Sequence, residues 1–180
     1  VSSRLAGRLL VSSPRLLDPN FDLTVLLVLE HGDEGALGVI LNRPSALRLA
    51  DALPDWAGAA SPPAVVFAGG PVEREALIAL GRPAAGAEGG LVLGLHSVDL
   101  QEQPALAVLG VDGVRVFSGY AGWSPGQLDD ELAAGAWWVV EAEPDDVFTA
   151  DPLGLWARVL RRAGGWLALF AHYPVDLSSN

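Results

Sequence analysis

Three histidines, His31, His96 and His172, are the only imidazoles in the chain. No two stand three to five residues apart, so the spacing that builds a zinc site on one helix face is missing. Glu30 and His31 are adjacent, and neighbours on a strand face opposite sides, so they do not chelate together. His31 reads as a residue at the mouth of a loop, solvated or capping, with a catalytic role as its alternative. His96 and His172 lie in apolar runs. There is no cysteine, which removes a thiolate nucleophile, a Cys-ligated zinc, an iron–sulfur cluster and a disulfide framework. There is no lysine either, so all 11 basic residues are Arg, and a Schiff base or a lysine-bearing phosphate loop is excluded. Neither a Gly-x-Ser-x-Gly elbow nor a Gly-x-Gly-x-x-Gly turn is present. No cofactor and no metal are expected. Asp129-Asp130-Glu131 and Asp145-Asp146 are dense in carboxylates, which can serve glycoside or divalent-cation chemistry. On a helix N-terminus they more often answer the helix dipole.

Two glycine clusters and one arginine make the better candidates. Gly69-Gly70-Pro71 follows one buried run, and Gly119-Tyr120-Ala121-Gly122-Trp123 follows another and leads into a helix start. A strand, a glycine loop and a helix start offer backbone N–H groups to an anion. Equally, glycines there permit tight packing of crossing chains, with Tyr120 and Trp123 as core wedges, and this second reading is favoured. Asn42-Arg43-Pro44 closes a third buried run. These strand ends are expected to converge on one concavity, with His31 at its rim. Arg43, held extended by Pro44, would be its cation. It would hold either an anionic ligand or a buried carboxylate such as Glu30 or Asp18, the latter being favoured. The candidate ligand-binding set is therefore His31, Asn42, Arg43, Gly69, Gly70, Tyr120 and Trp123.

The elements that position these residues follow from pattern. Of 180 residues, 51% are hydrophobic and 18% charged, which is a folded chain long enough to bury a core. Strands are predicted at Arg8–Ser12, Leu23–Glu30, Gly35–Asn42, Ala64–Ala68, Val114–Ser118, Trp137–Ala142 and Trp166–His172. The run from Leu23 lacks alternation, as in a strand covered on both faces, and with the next run it forms a hairpin. Ser124-Pro125-Gly126-Gln127 reads as N-cap, N1 and a capping box, starting a helix through Leu128–Ala134. Asp151-Pro152 starts another, with an apolar stripe of Leu153, Trp156, Leu160 and Ala163 and an end at Gly164-Gly165. A third helix is predicted over Ala46–Leu53. Residues 71–80 fit either a helical turn or a strand. Hairpins come early and the well-signed helices late, which predicts a single α+β domain over residues 1–180 rather than a doubly wound sheet.

Net charge is −11, and it is uneven. Residues 99–151 hold eleven acids against Arg115 alone, while Arg158, Arg161 and Arg162 cluster near the end. The acidic block reads as solubility or as a docking face for a basic partner. So acidic a chain repels phosphate backbones, and direct nucleic-acid binding is not expected. No apolar run approaches the ~20 residues of a membrane span, and a cytoplasmic protein is expected.

Taken together, Leu9-Leu10-Val11, Pro14, Leu17-Asp18-Pro19, Phe21, Glu30-His31, Gly35 and Leu41-Asn42-Arg43-Pro44 resemble the opening signature of the YqgE/AlgH family. Gly69-Gly70-Pro71-Val72 is similar to its middle motif. Phe117, Gly119–Trp123, Gly126-Gln127-Leu128, Glu131-Leu132 and Gly135-Ala136-Trp137 are similar to its most specific one. Leu155-Trp156, Arg161-Arg162 and Asn180 resemble the version found in high-GC Gram-positive bacteria. The resemblance implies one α+β domain, a large mixed and partly barrel-like sheet flanked by helices, in the cytoplasm. It implies no particular reaction. Members are often labelled transcriptional regulators, a label that fits this chain only through a protein partner or a small anionic ligand. The alternative is an enzyme whose site combines His31, Asn42 and Arg43 with the two glycine clusters.

Overall fold

The computed structural model describes residues 4–16 and 18–172; Leu17 and Asn180 of the family-like motifs lie outside the described residues. In chain order the elements are β1 (Arg8–Ser12), β2 (Val25–Gly32), β3 (Gly35–Ile40), β4 (Pro44–Arg48), α1 (Leu49–Ala52), β5 (Val65–Ala68), β6 (Val72–Pro83), β7 (His96–Ser97), α2 (Pro104–Ala107), β8 (Val111–Trp123), α3 (Gln127–Ala133), β9 (Trp137–Glu141), α4 (Pro144–Val147), α5 (Leu155–Ala163) and α6 (Leu167–Phe170). Strand outweighs helix, 36% against 28%. The strands form one mixed nine-stranded sheet in the order β4-β5-β8-β3-β2-β1-β9, with β6 on β8 and β7 on β6. It does not close into a barrel: β4 and β9 stand at its two ends. No helix among the described residues is long and apolar enough to cross a membrane.

The early strands are apolar without alternation because both of their faces are covered. Leu9, Val11, Val25, Leu27, Val39 and Leu41 point to one side, where Leu155, Trp156, Val159 and Leu160 of α5 meet them. Leu10, Leu26, Val28 and Ile40 point to the other, against Trp123, Leu128 and Trp137. Each such buried side chain contributes about 1.5–3 kcal/mol of transfer free energy. On the second layer Glu131 Oε2 accepts from both Trp123 Nε1 (2.7 Å) and Trp137 Nε1 (2.9 Å), so one carboxylate satisfies two indole N–H groups. A third cluster, with Leu49, Trp56, Val66, Val114 and Val116, covers the sheet around β5 and β8.

Several boundaries differ from the sequence reading, each for a physical reason. The first three residues of the predicted Ala46–Leu53 helix, 46–48, belong instead to β4, which pairs through Pro44↔Phe67 and Arg48↔Val65, and only Leu49–Ala52 is helical. Trp166–His172 is not a strand: Trp166 and Phe170 are one helical turn apart, and both close on Trp138, at 5.4 and 4.9 Å between ring centroids. Ser124 does not cap α3. Gly126, with left-handed φ of 78°, takes the N-cap position, and the Ser124 N–H donates instead to Gln127 Oε1. Asp151 does cap its segment, accepting from the Gly154 N–H, but the first turn is 3-10 and leaves Leu153 80% exposed. The buried stripe of α5 is Leu155, Trp156, Val159 and Leu160. Residues 72–83 resolve as strand.

Arg115, the one cation of the acidic block, is 2% exposed in the middle of β8. No carboxylate among the described residues faces it. Its Nη1 donates to the Val147 and Thr149 carbonyls (3.0 and 2.9 Å) and its Nη2 to those of Ser61 and Pro62 (3.3 and 2.6 Å). The Phe67 ring lies 4.3 Å from its guanidinium carbon. Burial, with a smaller push from Arg82, lowers its pKa to about 10, so it stays charged at neutral pH. Four carbonyl dipoles thus solvate one charge and tie α4 and the 61–62 segment to the sheet. Arg115→Ala removes that charge, opens a cavity and leaves carbonyls without donors. It is expected to cost at least about 3 kcal/mol in equilibrium denaturation, measured against a wild-type chain expected to unfold in a single transition. Arg115→Lys is expected to recover only part of the loss, because an ammonium lacks the planar fork that spans two pairs of carbonyls.

Candidate functional site

The three strand ends singled out in the sequence do meet, around a crossing of two backbones. β5 runs parallel to β8 through Phe67↔Phe117 and Ala68↔Ser118. The chain then passes directly over β8. The Gly69 N–H donates to the Ser118 carbonyl (2.8 Å), and the Gly69 carbonyl accepts from the Ile40 N–H of β3 (2.8 Å). A Cβ on Gly70 would fall inside the Tyr120 carbonyl group, and one on Gly119 would meet the Gly70 carbonyl oxygen. Gly119 also has a left-handed φ of 73°, where β8 bends between its pairing with β5, which ends at Ser118, and its pairing with β3, which starts at Ala121.

This geometry corrects the loop reading of Gly119–Trp123. These residues are strand: Tyr120 pairs with Val72, and Ala121, Gly122 and Trp123 pair with Gly38, Leu37 and Ala36. Trp123 is buried, its indole on Glu131 and edge-on to Trp137. Tyr120 is half-buried against the main core. Asn42 is buried with both amide ends engaged: Oδ1 accepts from the Val25 N–H (3.0 Å), and Nδ2 donates to the Leu23 carbonyl (2.9 Å). That clamp holds Leu23 at a φ of 47°. His31 is the next-to-last residue of β2, at the turn end of the β2–β3 hairpin as the sequence suggests, but it is buried rather than solvated. It is 6% exposed, with Nε2 3.6 Å from Asp129 Oδ1 of α3. The hairpin register puts it five residues, about 16 Å, along the strand from the Leu26↔Ile40 pair beside the crossing.

Beside the crossing opens a cleft of about 200 Å³, lined by Asn20, Ile40, Arg43, Ala68, Gly70, Pro71, Arg74 and Ser118. Of the candidate set, Arg43 and Gly70 line it. Arg43 does not pair with Glu30 or Asp18. Its Nη1 donates to the Asn20 carbonyl, and its Nη2 to the Asp22 carbonyl (3.2 Å) and Thr24 Oγ1 (3.1 Å). Burial lowers its pKa, opposed by the nearby charges of Asp22 and Asp18. Arg74 was not singled out in the sequence. It rides on an irregularity of β6: Val72 faces Tyr120 and Leu77 faces Ser118, so three extra residues are extruded between them. Glu73 takes a φ of 45° within that bulge. The Ser118 hydroxyl donates to the Arg74 carbonyl and pins the bulge to β8. The available signal was Glu73-Arg74-Glu75 directly after Gly-Gly-Pro, a cation where the chain must leave a tight crossing.

The crossing leaves no room for a methyl group. Gly70→Ala is expected to destabilise the fold by more than about 2 kcal/mol, as overpacking against backbone that cannot yield. Gly58→Ala, where nothing lies within 4 Å of the added carbon, is expected to stay within about 0.5 kcal/mol of wild type. Melting curves of the two variants check both values.

Residues 9–168 match a family model described as AlgH-like. A UPF0301 protein of Streptomyces coelicolor is 50% identical over 186 residues, covering 99% of this chain and 96% of the relative. Another, from Thermobifida fusca, is 49% identical with 98% and 96% covered. Among solved structures, a Corynebacterium diphtheriae protein superposes with a TM-score of 0.87 at 29% identity, over 96% of this chain and 94% of that one. The solution structure of the AlgH protein from Pseudomonas aeruginosa gives a TM-score of 0.69 at 32% identity, over 98% of both chains. With motifs, length and fold in agreement, the chain belongs to the AlgH-like family.

Proposed function

We propose that this chain is a cytoplasmic binding or regulatory module that takes a small anionic ligand in the cleft beside the strand crossing and passes its state to a protein partner, without binding DNA directly. The observation that carries this reading is the pair Arg43 and Arg74, brought from two different elements to one cleft in a chain of net charge −11. The lining holds no His, Asp or Glu. A guanidinium has donors and no acceptor, and the Ser118 hydroxyl is already donating to a carbonyl, so the cleft has charge for an anion but no general base. That supports binding over turnover. The enzyme alternative would draw on His31 and Asn42, whose polar contacts are with Asp129 and with backbone, away from the lining.

The arginines of α5 support the absence of DNA binding. Arg158 faces Asp151 at 3.1 Å, and Arg162 holds the buried Asp146 through two bonds of 2.7 Å. These intramolecular pairs leave Arg161 to represent the cluster, and counterion release scales with the number of phosphates neutralised. A thermal-shift screen of small anions and metabolites, followed by turnover assays on each hit, tests the module reading. Saturable stabilisation without turnover is expected, and product formation from a hit would transfer the case to the enzyme alternative. Fluorescence anisotropy with duplex DNA at ~150 mM salt is expected to show no binding tighter than the 10⁻⁴–10⁻⁶ M range of non-specific contacts. A sub-micromolar isotherm would overturn that part.

A further inference from the structure

Resting on the cleft reading above, we infer that the ligand of this site is a small organic phosphate monoester, with Arg74 as its movable contact and Arg43 as its fixed one. The argument begins with how the arginines are divided. Arg4, Arg8, Arg48, Arg82, Arg158 and Arg162 each face an Asp or Glu. Arg74 stands between Glu73 and Glu75 in sequence, yet meets no carboxylate among the described residues. Arg15 and Arg161 are exposed and unpaired among the described residues as well, but of these three only Arg74 lines the cleft, and it does so although two acids flank it, kept from them by the shape of the backbone. The shape responsible is the β6 bulge, with Glu73 held at positive φ and the Arg74 carbonyl held by Ser118. Bulges of this kind re-aim a side chain, and non-glycine residues at positive φ persist where surrounding contacts over-determine them.

Arg43 is the complementary case. Three of its five N–H groups are engaged by the 20–24 segment, which fixes the plane of the guanidinium. The two that remain can be offered to a ligand with little further loss of side-chain freedom. A carboxylate has two oxygens and is satisfied by one bidentate arginine. A phosphate monoester carries about −1.5 to −2 charges and three terminal oxygens, which need donors from more than one direction. Two guanidiniums on separate elements match the second anion. The rest of the lining, Ile40, Ala68 and Pro71, is apolar, and at about 200 Å³ the cleft is smaller than the roughly 300–1,000 Å³ of drug-sized sites, so the organic body beside the anion is a small one.

Phenyl phosphate and benzoate share a ring and differ in the anion, which makes them a matched pair of probes for the full chain, with inorganic phosphate as a third. By calorimetric titration, phenyl phosphate is expected to bind at least about tenfold more tightly than benzoate, and more tightly than inorganic phosphate. Arg74→Gln is expected to weaken phenyl phosphate about ten- to hundredfold, the loss of a charged hydrogen-bonding partner, while leaving the unliganded melting temperature unchanged. In amide spectra of the wild-type chain, phenyl phosphate is expected to move the Gly70 resonance and leave that of His31 in place. Equal binding of benzoate and phenyl phosphate, both lost in Arg74→Gln, overturns the phosphate assignment and leaves the anion cleft standing. Phenyl phosphate binding that is indifferent to Arg74→Gln and silent at Gly70 overturns it by placing the anion elsewhere. No binding of any anion in the series overturns the phosphate assignment and the cleft reading together.

Discussion

Two backbones in contact with no side chain between them, Gly69-Gly70 over Gly119-Tyr120, set the geometry of everything around the cleft. β8 is thirteen residues long and serves two neighbourhoods: its first part pairs with β5 and β6, its last three residues with β3. A strand that changes partners has to bend, and left-handed Gly119 is the bend. The chain leaving β5 has to pass the same point, which is possible only if it too lacks a Cβ. The Ile40, Ala68 and Gly69 backbone hydrogen bonds then lock β3, β5 and the Arg43 carbonyl into one rung. The cleft is the space left where these chains diverge. It is made from backbone geometry first and side chains second, and for that reason it sits on rigid elements.

The charges of the molecule follow the same economy of partners. Arg115 has four carbonyls and an aromatic face in place of a carboxylate, so its desolvation is answered by dipoles that the fold already supplies. Asp146 completes a reciprocal capping box with Glu143 on α4 and accepts both terminal nitrogens of Arg162 from α5, joining two helices through one buried carboxylate. Arg82 stacks on Phe148 while facing Asp145. Most arginines therefore act as cross-links, a role suited to a planar fork that hydrogen-bonds in two directions. Among the arginines without such a link, Arg74 is set apart from Arg15 and Arg161 by its place in the cleft lining.

The sequence disclosed what depends on composition along a segment and concealed what depends on contacts between segments. β1, β2, β3 and β9 are continuous apolar runs and were legible as such, including the coverage of β2 on both faces. Arg43 was legible because Asn-Arg-Pro at a strand end is an unusual arrest. Gly119–Trp123 was misread because glycine-rich sequence favours loops locally, and only the presence of Gly70 across the crossing explains why a strand needs it. Ser45 after Pro44 imitates a helix start, yet the edge of β5 recruits residues 44–48 as strand. Asn42 looked like a polar ligand, and its position beside the start of β2 makes it a backbone clamp instead. For Arg74 the sequence shows only a cation between two acids after Gly-Gly-Pro; what brings it to the cleft is an extrusion of three residues relative to a partner strand, a register property that one chain's sequence does not display.

These strands of argument meet in the way the two cleft arginines differ. Arg43 is reached through three contacts from the 20–24 segment and the Asn42 clamp behind it, so its position is a consequence of how β2 begins. Arg74 is anchored only through its own carbonyl, leaving its side chain to choose a partner. A fixed cation defines where an anion sits, and a free one can report that the anion has arrived by changing the surface of the β6 bulge. Glu73, Arg74 and Glu75 are all exposed there. An anion seated on the two arginines cancels the positive charge that Arg74 carries between Glu73 and Glu75, and the bulge becomes a more negative surface. That change in surface charge requires no rearrangement of the sheet.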